Sequence, residues 1–351
     1  MSRTAILKTG FEAIYHSRAA AMLSGRWGGL GVIFCLHHVT PGGGTQSGFA
    51  PNSNLEIAPE FLSDIITLVK SLGYEPVSIS TAVERLKSGR KGNRFAVITL
   101  DDGYKDNQLH ALPVFQKHQC PFTIYVAPRI ADGTCEIWWR GLEAVIAKAR
   151  HLNVDINGKL FVGDIQSEAA KWSAWQALAP QLQAMPEFAQ RDCIRQLADR
   201  NHVDLNAICR NAAMTWDELR ELNSNPLVTI GAHTLNHYNL LKLPEADARR
   251  EIVESRQRVA AELHAPVEHF AFPYGNRDAA GPREFIMSEK AGFQSSVVTR
   301  MGTLQPEHAN HLHALPRIMI SGRFQKTRYI EALLSGVPAR LSNGFRALNV
   351  D

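Results

Sequence analysis

Seven short apolar runs constrain the fold more than any other feature of the chain. They are "GVIFCL" (31–36), "FAVITL" (95–100), "FTIYVA" (122–127), "LVTIGA" (227–232), "HFAF" (269–272), "SSVVT" (295–299) and "PRIMI" (316–320). Near-continuous apolar strands are typical of a parallel sheet that is buried on both faces. Helical patterns lie between many of them, for example at 59–73 and 246–263. This alternation predicts an α/β fold, and about seven parallel strands favour an incomplete (β/α) barrel.

Residues 130–225 interrupt the alternation. The stretch "LNVDINGKLFV" predicts a hairpin that turns at Asn157-Gly158, and the chain after it is helical to about residue 210. Thr215 and Glu218 have the spacing of a capping box, which predicts the start of another helix. We expect a domain over 29–325 with a mostly helical insertion at about 130–225, which could cover one end of the barrel. A C-terminal helix and tail would follow at 326–351.

Residues 1–28 predict an amphipathic helix. Apolar side chains recur there at helical spacing, with basic residues between them: Leu7, Phe11, Ile14, Tyr15 and Met22. Such a helix can lie on an anionic membrane as a peripheral contact, or it can pack its apolar stripe against the domain. We favour packing against the domain.

Composition excludes several classes of protein. The net charge is only +4 and the basic residues are scattered, whereas a nucleic-acid groove needs a basic stripe. The longest apolar stretch is too short to span a bilayer, and the N-terminus lacks the pattern of a secretory signal. Five cysteines without a C-x-x-C pair indicate reduced thiols. We therefore expect a cytoplasmic protein, at the inner face of the membrane if its N-terminal helix binds there.

Polar residues follow four of the apolar runs. They are His37 and His38, Asp101 and Asp102, His233 and His237, and the group Pro273-Tyr274-Gly275. If the strands are parallel, these residues meet at one end of the barrel, which is where α/β barrels carry their chemistry.

Two histidines and a carboxylate at this end suit a divalent metal with open positions. His233 and His237 are one helical turn apart, so both could point the same way. An H-x-x-x-H pair alone is more often a surface or capping feature. In the adjacent pair Asp101 and Asp102, one carboxylate could bind the metal while the other acts as a base. The alternative is that both cap the next helix.

The motifs "TLDDGY", "HTLNH" and "FAFPYG", in this order, resemble those of the polysaccharide deacetylase family, also called the NodB-homology domain or carbohydrate esterase family 4. "FCLHHVTP", "TWDELREL", "SSVVT" and "LPRIMI" resemble segments of its exopolysaccharide and poly-N-acetylglucosamine deacetylase branch. The resemblance covers roughly 30–130 and 213–322. It implies a distorted (β/α) barrel, a divalent metal and removal of N-acetyl groups from an amino-sugar glycan or oligosaccharide.

The resemblance also implies roles for individual residues. Asp101 would be the general base, and Asp102, His233 and His237 would bind one divalent metal. Zinc is the first choice, with cobalt, nickel or manganese as alternatives. Tyr274 would offer its backbone N–H to the developing oxyanion.

Two departures from the family pattern concern catalytic groups. Many members have an arginine at the position of Ala271, where it holds the catalytic Asp. We expect Arg317 to supply that charge, and the alternative is a salt bridge at the barrel end. The usual late Leu-x-His motif of the general acid has no clear match among His308, His311 and His313. We assign the general acid to His37. The alternative is that His37 only makes a hydrogen bond in the core.

Other functions stay open on the sequence alone. A hydrolase of the same fold could act on a small amide, as the allantoinase-like relatives do, and a pocket closed by the insertion would favour that reaction. A metallophosphoesterase needs more bridging ligands than this chain aligns. A non-catalytic carbohydrate-binding module would be expected to have lost Asp101 or a metal ligand, and neither is lost. The expected partner is an N-acetylated glycan, with no nucleic acid.

Overall fold

The computed structural model describes residues 3–44, 48–89, 92–156 and 158–351. Seven parallel strands form its central sheet. In chain order they are β1 Gly31–Leu36, β2 Phe95–Asp101, β3 Phe122–Val126, β4 Val228–Ala232, β5 His269–Ala271, β6 Ser295–Val297 and β7 Ile318–Met319. Across the sheet the order is β6-β5-β4-β3-β2-β1-β7, and the short strand Glu75–Pro76 also pairs with β2. The predicted incomplete α/β barrel is confirmed.

The register of the strands brings their polar endings to one level. Leu36 of β1 pairs with Leu100 of β2, so His37 and Asp101 follow at neighbouring positions. Val126 of β3 pairs with Ala232 of β4, which directly precedes His233. Every residue of β1 and β2 is buried, because helices cover the outside of the sheet and side chains fill its inside.

The helices that pack on the sheet begin and end close to their sequence signals. They are Pro59–Ser71, Ile79–Ser88, Leu112–His118, Pro128–Ala131, Glu245–Leu263 and Pro282–Lys290, with short 3-10 turns at Pro51–Leu55, Leu240–Lys242, Pro306–Asn310 and Gly322–Phe324 and a π turn at Asn107–Ala111. Gly73 follows the first of these helices with φ 78°, a left-handed conformation that glycine adopts without strain. A short parallel pair, His38–Val39 with Glu56–Ile57, lies beside the sheet.

The chain between β3 and β4 is mostly helical. Its elements are the helices Trp138–Lys148, Glu168–Ala184, Glu187–Arg200, Leu205–Ala212 and Trp216–Asn223 and the hairpin strands His151–Ile156 and Lys159–Asp164. The hairpin is antiparallel as predicted; Gly158 has φ 77°, and Asn157 lies outside the described residues. The capping box is also present, since Thr215 Oγ1 accepts from the Glu218 N–H and Glu218 Oε2 accepts from the Thr215 N–H.

The N-terminal segment differs from the single helix that was expected. It forms two helices, Arg3–His16 and Ala19–Trp27, because Arg18 takes a left-handed φ of 57° between them. Phe11 packs with Phe324 and Tyr329, at ring-centroid distances of 5.7 and 5.5 Å. The large exposed apolar side chains of the segment are Ile6, Leu7 and Met22. The apolar stripe is therefore only partly packed, and membrane contact stays a prediction.

The C-terminal segment forms two short helices, Thr327–Leu334 and Val337–Ser342, before the tail. Among the described residues, no helix is both long and apolar enough to cross a membrane.

Candidate active site

A cavity of about 640 Å³ opens at the carboxyl ends of the strands. Six of the residues singled out in the sequence line it: His37, Asp101, Asp102, His233, His237 and Tyr274. They come from the ends of four strands, so the parallel register brings them together. The seventh, Arg317, lies fully buried directly behind Asp101.

Asp102, His233 and His237 form a compact group of three ligand atoms. The Nε2 atoms of His237 and His233 lie 3.2 and 3.5 Å from Asp102 Oδ1. The histidines stand on a loop and not on a helix, since Thr234 and His237 both have a φ of 57°. Both imidazoles point toward Asp102, as expected, but two residues in the left-handed conformation produce this orientation and helical spacing does not.

The contacts of these side chains fit a bound divalent metal. His233 Nδ1 hydrogen-bonds the Ala271 carbonyl at 2.7 Å, which fixes the imidazole and leaves Nε2 free to bind a cation. Burial lowers the pKa of His233 to about 4, so the ring is neutral at pH 7, as a metal ligand must be. Asp102 Oδ1 is buried without a hydrogen-bond partner among the described residues. Two imidazoles and one carboxylate match the ligand preferences of zinc.

Asp101 has a different environment from its neighbour. Arg317 binds it with two hydrogen bonds of 2.7 Å, from Nη1 to Oδ1 and from Nη2 to Oδ2. The guanidinium is held by the Val298 carbonyl and by Thr99 Oγ1. Burial alone would raise the pKa of Asp101, but the charge and hydrogen bonds of Arg317 together with the nearby imidazoles of His233 and His37 outweigh it, and the pKa is lowered. Asp101 is therefore ionised and fixed in orientation.

Replacing Arg317 with Met is expected to destabilise the fold by about 3–5 kcal/mol, because it leaves the buried Asp101 charge without its partner. Urea unfolding monitored by circular dichroism measures the change. The double variant Asp101→Asn, Arg317→Met is the control, and it should recover part of the loss because the unpaired charge is removed. A loss below about 1 kcal/mol in the single variant would mean that the pair carries little of the stability.

His37 is half-buried and lines the cavity beside Asp101. Its ring, Cys35 and Asp101 offer ligand atoms within 4.8 Å of one another. Burial lowers the pKa of His37, while the two Asp charges act in the opposite direction. Nδ1 has no hydrogen-bond partner among the described residues, so the core hydrogen bond considered as an alternative is not made through that atom.

The late histidines do not line the cavity. His308 Nδ1 contacts the backbone of Gln305, and His313 Nδ1 contacts Ser288 and Ser296 at 3.2 and 3.3 Å. His38 also points away, since its ring stacks on Tyr104 and its Nδ1 binds Asp106 at 2.6 Å. Of the neighbours His37 and His38, His37 therefore lies in the cavity with Asp102, His233 and His237, and His38 does not.

Tyr274 connects the barrel end to the insertion. It has a left-handed φ of 61°, and its carbonyl accepts a hydrogen bond from the Thr299 hydroxyl. Its phenol oxygen accepts from Trp138 Nε1 at 2.9 Å.

The insertion supplies cavity residues that the sequence did not indicate. Trp138, Trp139 and Trp175 line the cavity. Arg191, also from the insertion and fully buried, donates to the His237 carbonyl at 3.3 Å and so supports the loop that carries His233 and His237. The signal available was the pair "WW" at 138–139, which follows soon after the end of β3.

Comparison with known proteins gives one family match. A family profile described as polysaccharide deacetylase matches residues 198–284, which include "HTLNH" and "FAFPYG". The resemblance to this family is therefore confirmed. No curated protein matches the sequence.

Several solved structures share the polysaccharide deacetylase fold. The Streptococcus pyogenes deacetylase PplD in complex with acetate has a TM-score of 0.56 at 15% identity, over 86% of this chain and 97% of that chain. IcaB from Ammonifex degensii has a TM-score of 0.54 at 16% identity, over 87% of this chain and 96% of that chain. A de-N-acetylase from Aggregatibacter actinomycetemcomitans has a TM-score of 0.53 at 12% identity, over 86% of this chain and 99% of that chain. At these identities the likeness shows the fold.

Proposed function

We propose that the protein is a metal-dependent hydrolase that removes N-acetyl groups from an amino-sugar glycan. The main support is the contrast between the two adjacent carboxylates. Asp101 is paired with Arg317, whereas Asp102 faces His233 and His237 in the same cavity. One carboxylate is thus kept ionised without a metal, and the other is left for a metal to bind.

The metal would be held by Asp102, His233 and His237, with zinc as the first choice. When bound, it would polarise the acetamide carbonyl and lower the pKa of water. Asp101 accepts the proton of the attacking water, and Arg317 keeps it in the orientation to do so. The Tyr274 backbone N–H donates to the oxygen on which negative charge develops.

His37 is the proposed general acid. The leaving nitrogen of an amide needs a proton, because an amide anion is a very poor leaving group. A histidine suits this transfer, since its unperturbed pKa is near 6.5. His37 directly follows β1, the strand that pairs with β2, and it faces the same cavity as Asp101; this position supports the assignment.

Replacing His37 with Ala is expected to remove most turnover on an N-acetyl glycan, by about two to four orders of magnitude. An acetate ester whose leaving group needs no proton should retain much more activity, because only the amide depends on the acid. Acetate release from both substrates is the measurement, with metal content checked in the same samples. The exposed His16→Ala variant is the matched control.

An equal loss on the amide and on the ester would assign His37 to positioning and not to proton transfer. Near-normal turnover on the amide would require another acid.

The shape of the cavity bears on the substrate. The insertion forms part of its wall, a feature that would favour a small amide as the rival substrate. Its volume of about 640 Å³ and its three tryptophans favour a sugar, because apolar sugar faces pack on aromatic rings. Acetate release from N-acetylated oligosaccharides, compared with hydrolysis of a small cyclic amide at equal concentration, separates the two. Hydrolysis of the cyclic amide alone would overturn the glycan proposal.

A further inference from the structure

A second cavity of about 400 Å³ adjoins the catalytic one, and we call it the side cavity. Pro180, Gln183, Tyr274 and Asn276 line both cavities, so the two meet at these residues. The other side chains that the argument uses are Ala184, Glu187, Gln190 and Lys242, and all of them line only the side cavity. The side cavity therefore lies between the insertion and the loops that carry Tyr274 and the metal ligands.

Buried acceptor atoms without partners mark the wall of the side cavity. Both carboxylate oxygens of Glu187 and the amide oxygen of Gln190 have no hydrogen-bond partner among the described residues. The two side chains are each only 1% exposed. Buried oxygens of this kind are costly unless water or a ligand donates to them, so they indicate a site for hydrogen-bond donors.

Charge around the side cavity is balanced, because the two carboxylates Glu187 and Asp278 are matched by the two cations Arg191 and Lys242. Glu187 has Arg191 Nη2 3.5 Å away, and burial raises the pKa of Glu187. The ammonium group of Lys242 donates hydrogen bonds to the backbone carbonyls of Gln183 and Met185. Because these charges balance, they do not favour a charged ligand of either sign. A neutral ligand with several hydroxyl groups fits them best.

We infer that the side cavity binds a second sugar unit, the neighbour of the unit that loses its acetyl group. This inference rests on the proposed function, because it places the reacting sugar in the adjoining catalytic cavity. The hydroxyl groups of the second unit donate to Glu187 and Gln190, and its chain passes Gln183 and Asn276 between the two cavities. The substrate is then at least a disaccharide, and the insertion selects its length.

The decisive variant blocks the side cavity without changing the buried polar groups. Ala184 is exposed and lines the side cavity alone, so Ala184→Trp should fill its mouth. Ala189 is exposed on the next helix and lines neither of the two cavities, so Ala189→Trp is the matched control. Gln190→Leu, which removes the acceptor and also the donor that binds the Leu182 carbonyl, is a second and independent variant.

The substrates are N-acetylglucosamine and its β-1,4- and β-1,6-linked disaccharides, and the measured quantity is kcat/KM for acetate release. The wild type should favour one of the disaccharides over the monosaccharide by about ten-fold or more, the gain from one or two added hydrogen bonds. Ala184→Trp should lose this preference and keep the monosaccharide rate, and Gln190→Leu should reduce the preference, whereas Ala189→Trp should behave as the wild type. An unchanged preference in Ala184→Trp would overturn the inference.

Calorimetric titration with the same sugars separates this inference from the proposed function. If the zinc-loaded wild type releases no acetate from any of them, the proposed function fails, and binding then decides the inference. Tighter binding of a disaccharide that Ala184→Trp abolishes and Ala189→Trp preserves would uphold the side cavity as a sugar site. Equal binding of the monosaccharide and both disaccharides by the wild type would overturn it.

Discussion

The Asp101→Asn variant is expected to keep its metal and to lose about two to four orders of magnitude in turnover, the effect typical of removing a general base. Asn cannot accept the proton, yet it has nearly the size of Asp, and its single oxygen can still accept one of the two hydrogen bonds from Arg317. Asp102, His233 and His237 are unchanged in this variant. The expected loss is therefore chemical, because the metal-binding group stays intact.

Two measurements on the same sample check this expectation: metal per chain by elemental analysis, and acetate release from an N-acetylated oligosaccharide. Asp64→Asn, an exposed change on the helix Pro59–Ser71, is the control and should alter neither quantity. Loss of the metal in Asp101→Asn would exchange the roles of the two carboxylates.

Loss of the metal is expected when His237 is replaced with Ala. Only three protein side chains would hold the ion, so removal of one should weaken binding by more than the roughly 10–100-fold seen when a partner of a metal ligand is removed. Metal stoichiometry should fall well below one per chain, and acetate release should fall with it. Elemental analysis after dialysis measures the first effect.

The control for this experiment is His110→Ala, since His110 lies on the turn Asn107–Ala111, outside the cavity. Partial recovery of activity in the His237→Ala variant at high zinc concentration would agree with weakened binding. Unchanged metal content would remove His237 from the proposed ligand set.

The strands could be predicted from the sequence because each is a buried apolar run with a polar end. β1 has the predicted bounds, Gly31–Leu36, and β2 extends only one residue beyond its run, to Asp101. Parallel pairing then brings the polar ends together, so the cluster of Asp101, Asp102 and the histidines followed from the fold class.

The conformation of the histidine loop could not be predicted in this way. Non-glycine residues seldom adopt a positive φ, and nothing in "HTLNH" indicates it at Thr234 and His237. The loop is held by distant groups: Glu251 Oε2 accepts from the backbone N–H groups of Leu235 and Asn236, and Arg191 donates to the His237 carbonyl. Such contacts depend on tertiary packing, which local sequence does not record.

The walls of the cavity were missed for a similar reason. The insertion packs around its own cluster of apolar side chains, which is separate from the two clusters that contain the strands of the barrel sheet. Its helices could be recognised by their spacing, but which of their faces turns toward Asp102 depends on how the insertion's own cluster packs. The sequence therefore could not predict that Trp139 and Trp175 line the cavity, as they do in the structure.

The separate packing of the insertion has an evolutionary consequence. Mutations that reshape the cluster around Leu142, Ile146 and Leu178 act on the walls that would recognise the sugar, while β1, β2 and β4 keep their register. Selection can then diversify substrate preference in one part of the chain while purifying selection preserves the chemistry in the other. Among homologues of this protein, the stretch between β3 and β4 should accordingly accumulate substitutions and length changes faster than the strand ends. Arg191 and Trp138 are the expected exceptions, because each ties the insertion to a residue of the catalytic cavity.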